Sequence, residues 1–95
     1  QVGASEMISP SGVPGRWLVD AGISFYDFLT HFECEDLYHP APYSTLGGFM
    51  LEELKHIPVA GEQYEWNGVM FEIAEMTGAK IGKILVSFNT QDERS

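Results

Sequence analysis

The chain has a single cysteine, Cys34, only five basic residues against fourteen acidic ones, and no apolar run long enough to cross a bilayer. One thiol excludes an internal disulfide framework and suits a reducing compartment. A net charge of -9 repels phosphate backbones and anionic lipid, so nucleic acid is not expected as a partner. A membrane-spanning helix needs about 20 apolar residues, and neither that nor a basic leader followed by an apolar stretch is present, so no direct membrane insertion of this fragment is expected. There is also no GxGxxG, no P-loop lysine, no paired CxxC and no EF-hand loop.

What is there belongs to a folded domain. Hydrophobic residues make up 44% and aromatics 13%, too much for a disordered chain. At 95 residues one small core is the ceiling, with roughly 60 to 65% of the unfolded surface buried. The chain begins at Gln1 rather than methionine, and the expectation is a domain cut from a longer protein.

Residues 1–15, QVGASEMISPSGVPG, are rich in Ser, Gly and Pro without periodicity and read as a linker or loosely held arm. The domain is expected over residues 16–88, with 89–95 as a polar tail. RWLVDA, from Arg16, reads as a short strand. Ser24 then caps a helix whose Phe25, Phe28, Leu29 and Phe32 share one face. ECEDLYHPAPYS is a connecting loop, broken by two prolines. Thr45 caps a second helix with Leu46, Phe49, Met50 and Leu54 as its apolar stripe, stopped by Pro58.

From Glu62 the period changes to two. Asn67-Gly68 is a type I′ hairpin signal, and a second turn at Thr77-Gly78 makes the last third a three-stranded antiparallel meander. With Thr77-Gly78 as the loop, Glu75 faces Lys80, Glu72 faces Lys83, Phe71 faces Ile84 and Val69 faces Val86, matching charge with charge and apolar with apolar. The order of strand, two helices and three strands is that of an α+β domain, the meander joining a mixed or antiparallel sheet.

The densest set of ligating side chains is HFECEDLYH, with His31, Glu33, Cys34, Glu35, Asp36 and His39. Such oxygen and imidazole groups suit a divalent cation, but the spacing follows no metal template, and a solvated acidic loop with adventitious cation binding is the plainer reading. Cys34 with His31 or His39 offers a nucleophile and base without an orienting third group. Glu33 and Glu35, like Glu52 and Glu53, are neighbours sharing one environment, unlike the separated pairs of acid-base catalysis. Gly47-Gly48 at a helix start invites a cofactor phosphate. With acids one turn on, a steric role is favoured, in which the missing Cβ atoms let this turn approach another backbone, expected to be the sheet. Trp17 and Trp66 read as packing.

Residues 16–88 resemble the CorC/HlyC-type transporter-associated domain, the C-terminal module of hemolysin-like and magnesium/cobalt efflux proteins. The resemblance rests on Trp17-Leu18-Val19-Asp20-Ala21 for the first strand, Thr45-Leu46-Gly47-Gly48 for the helix entry, and Ile57-Pro58 with Gly61-Glu62 for the following turn. Gly68, Phe71 and Glu72 fit the hairpin, and Ile81 to Val86 the closing strand. Ala21 stands where a glycine is usual. The resemblance implies a non-catalytic regulatory or interaction module that follows a pair of CBS domains and a membrane domain, on the cytoplasmic side of the bacterial inner membrane, with homodimerisation as one role. It also implies a fold similar to part of certain FAD-binding domains, so FAD enters as a cofactor by fold analogy alone. The alternatives are sensing of FAD or an adenine nucleotide near Gly47 and Gly48, and divalent-cation sensing by the acidic His/Cys loop.

Overall fold

Ser24 and Thr45 start the two helices by the same device. Each side-chain oxygen accepts a hydrogen bond from the backbone N–H three residues on, Asp27 at 3.2 Å and Gly48 at 3.1 Å, replacing a partner that a first helical turn lacks. The computed structural model describes residues 4–88, and the expected polar tail, 89–95, lies outside them. A 3-10 turn at Ala4–Met7 leads into β1 (Ile8–Pro10) and β2 (Arg16–Asp20), then α1 (Phe25–His31) and a 3-10 turn at Glu35–Leu37. There follow α2 (Leu46–Leu54), β3 (Gln63–Trp66), β4 (Val69–Thr77) and β5 (Lys80–Phe88). Helix α2 stops because Lys55 turns into the left-handed region at φ 63, ahead of Pro58.

The strands form one antiparallel sheet in the order β1-β2-β5-β4-β3. The expected meander is its β3-β4-β5 part, and Asn67 and Gly68 both take the positive φ, 52° and 82°, that a type I′ turn requires. The expected arm is corrected in part: β1 pairs with β2, Ile8 opposite Val19, and Ile8 is buried. Three residues are too few to show a period of two, and Pro10 is tolerated because this strand sits at the sheet edge.

The register of the second hairpin is a second correction. Thr77, not Glu75, faces Lys80, while Phe71 faces Val86 and Ile73 faces Ile84. The turn residues are Gly78, at φ 63, and Ala79. Moving the turn by one position moves the pairing by two, and a two-residue shift keeps every side chain on its own face. Alternation therefore fits both registers equally, and the glycine's need for the left-handed position selects between them. Between Ile73 and Met76 the ladder is irregular, with Ala74 and Gly82 outside the paired positions and Glu75 opposite Lys83.

One face of the sheet carries the core. Trp17, Phe71 and Ile84 point to it from β2, β4 and β5, and both helices bury their predicted faces there, Phe25, Phe28 and Leu29 from α1 and Leu46, Phe49 and Met50 from α2. Phe49 is the hub: it stacks on Phe25 with ring centroids 4.6 Å apart and meets Trp66 and Phe71 edge-on at 4.9 and 5.6 Å. Phe49→Ala is expected to cost about 3–5 kcal/mol, read as a lowered urea midpoint with unchanged slope.

Candidate functional site

Helix α2 meets the end of β2 through backbone atoms. The N–H of Gly47 donates to the carbonyl of Ala21 at 2.9 Å, and the N–H of Leu46 donates to Ile23 at 2.9 Å. A Cβ on Gly47 would stand 3.1 Å from the Ala21 Cβ and 3.2 Å from its carbonyl oxygen, and one on Gly48 would stand 2.9 Å from the Cβ of Tyr43. So Gly47 approaches the residue that leaves the sheet, while Gly48 approaches the loop just before its own helix. The N–H groups of Leu46, Gly47 and Gly48 are all taken by protein acceptors, leaving this turn no donors for a phosphate.

Beside this junction lies a cleft of about 720 Å³, open on one side, between the start of α2 and the far end of the β4-β5 hairpin. Gly47, Gly48 and Leu51 line one wall, and Glu75, Lys80, Ile81 and Lys83 the other. Asp20, at the end of β2, accepts from the N–H of Gly22 at 2.8 Å and lies 3.8 Å from the Lys83 ammonium. Sequence reasoning paired the glycines with no lysine. Lys80 and Lys83 reach them only through the fold, with no local signal in the chain.

The acidic loop is dispersed. Among the described residues no three His, Cys, Asp or Glu side chains converge in a way that would hold an ion. His31 ends α1 with its ring edge-on to Phe32, centroids 4.8 Å apart, and Glu33 turns away at φ 60. Glu35 and Asp36 occupy the 3-10 turn, and His39 sits within 3.4 Å of both the Leu37 carbonyl and the Tyr43 hydroxyl. Burial pushes the Cys34 thiol up, and the nearby Asp36, Glu35 and Glu33 carboxylates push it further. That is the reverse of what activates a thiol.

Two polar contacts went unseen in the sequence. Tyr64 donates to Glu53 Oε1 at 2.6 Å and so fastens β3 to α2, and His56 bonds Glu62 across the loop that joins them. The same Glu62 accepts from the Val59 N–H at 3.2 Å. Both are side-chain links between segments whose spacing carries no motif.

The sequence profile of the transporter associated domain, CorC_HlyC, matches residues 12–90. The chain belongs to the CorC/HlyC transporter-associated domain family. A solved CorC_HlyC domain from Nitrosomonas europaea is 38% identical, with a TM-score of 0.74 over 85% of this chain and 95% of that one. The transporter associated domain of a CBS domain protein from Porphyromonas gingivalis shares the fold, with a TM-score of 0.77 at 20% identity over 88% of this chain and 99% of that one. A polyamine export protein of Salmonella typhimurium is 30% identical over 71 residues, 75% of this chain and 16% of that protein. The chain thus spans less than a fifth of the length of the curated relatives it matches. No helix among the described residues is long and apolar enough to cross a membrane.

The FAD expected by fold analogy does not fit the junction of this transporter-associated domain. A dinucleotide pyrophosphate at a helix start needs bare N–H groups, and here they are bonded internally. Gly48→Leu is expected to lower stability by about 1–3 kcal/mol through the contact with Tyr43, checked by urea denaturation. The Tyr64 hydroxyl, held by Glu53, has its pKa raised from 10.0 to about 12. A folded-state value above the unfolded one means that the bond contributes fully below about pH 10 and is lost as pH rises toward 12. In Tyr64→Phe that alkaline loss is expected to shrink, measured as urea midpoints of both proteins across this interval.

Proposed function

We propose that the chain is a non-catalytic regulatory and interaction module of a larger hemolysin-like or magnesium/cobalt efflux-type membrane protein, placed at its C-terminus behind a CBS pair and on the cytoplasmic side. Its role in this reading is to modulate transport, in part through self-association. The observation that carries it is the second face of the sheet. Leu18 and Leu85 are opposed across β2 and β5, and Met70 lies diagonal to Leu85 on β4. None of the three belongs to the core cluster, although each is half-buried. An apolar cross-strand group outside the core is suited to packing against a partner surface.

Two further observations support the reading. The domain makes up a small part of its relatives, one of which exports polyamines, so transport is the work of the longer protein. The sole cysteine, with its raised pKa, and the dispersed histidines and carboxylates of the loop make no reaction centre among the described residues. The cleft beside α2 favours a second reading, small-molecule sensing by the same domain. Sedimentation of the 95-residue chain is expected to show reversible dimers that Leu85→Glu dissociates without unfolding. A strict monomer at high micromolar concentration removes self-association from the proposal.

A further inference from the structure

The cleft holds two acids and two bases, but only one pair is internally satisfied. Asp20 and Lys83 lie 3.8 Å apart, whereas Lys80 and Glu75 form no ion pair among the described residues. Leu51, 36% exposed, and Ile81 supply apolar surface between them, and the glycines leave the walls free of side chains. The volume of about 720 Å³ lies in the range of roughly 300–1,000 Å³ typical of small-molecule sites. Because the N–H groups of the helix start are spent, recognition falls to the side chains.

We propose that this cleft binds a small zwitterion, an aliphatic α-amino acid, with its carboxylate on the Lys80 ammonium, its ammonium on the Glu75 carboxylate and its side chain over Leu51 and Ile81. A simple anion would leave Glu75 unmatched and would meet the repulsion of a chain carrying -9. A simple cation would leave Lys80 unmatched. A zwitterion satisfies both groups and carries no net charge, so the local pair, not the overall field, selects it. This site goes beyond the interaction-module reading and does not depend on self-association.

The test is NMR titration of the 95-residue chain with L-leucine, N-acetyl-leucine and leucinamide. Leucine is expected to give saturable shifts at the amides of Ala21, Gly22, Gly47, Gly48, Ile81 and Gly82. Each analogue lacks one charge and is expected to bind about fivefold more weakly, the upper end of what one exposed charge contributes. Lys80→Ala should erase the preference for leucine over leucinamide, Glu75→Gln the preference over N-acetyl-leucine, and Lys55→Ala neither. The proposal is overturned by the absence of saturable leucine shifts through tens of millimolar, by leucinamide binding as well as leucine to the unsubstituted chain, or by unchanged preferences in both variants.

Discussion

The carbonyl of Ala21 accepts the Gly47 N–H at 2.9 Å while the N–H of the same residue donates to Gly82 at 3.0 Å. One peptide position thereby joins the exit of β2, the edge of β5 and the first turn of α2. The geometry leaves no room for a Cβ at Gly47, 3.1 Å from that of Ala21, so this helix start must be glycine if it is to touch the sheet. From that contact follow the position of Phe49 over the sheet and the rings of Phe25, Trp66 and Phe71 packed around it. The same contact bounds the cleft, because the hairpin end runs on past β2 while the chain turns away at Ala21 and Gly22.

Glycine here has a double effect on chemistry. It brings backbone donors close to backbone acceptors, which satisfies them and removes them from any ligand. It also leaves the neighbouring wall bare, so what remains to act in the cleft is the set of charged side chains from the hairpin end. In a strongly acidic domain, two of the few lysines stand there together. The acidic loop around Cys34 behaves otherwise: its carboxylates are spread over a helix end and a 3-10 turn, and they act on the thiol only by keeping it protonated.

Much of the fold was legible because its signals are local. Ser24 and Thr45 mark helix starts by chemistry confined to one turn, Phe25 and Phe28 mark the buried face by spacing, and Asn67-Gly68 marks its hairpin by the φ values only such residues adopt readily. Where two answers satisfied the same local rule, the residues did not decide. The β4-β5 register is the plain case, since both alignments keep Phe71 and Ile84 inward. Strand β1 was hidden for a related reason: Ile8 becomes a strand residue only because β2 offers an edge opposite it.

The candidate site was legible only in its glycines. Thr45-Leu46-Gly47-Gly48 announced a close approach, and the family resemblance rested partly on it. Sequence by itself therefore determined the element order, the helix caps, the core faces and the family, all of which depend on neighbours within a few positions. Tertiary structure alone decided that Ala21 is the backbone Gly47 touches, that Lys80 and Glu75 share a cleft with it, and that Tyr64 holds Glu53. Those groups come from separate elements, and no rule of spacing along a chain states which sheet edge a helix will meet.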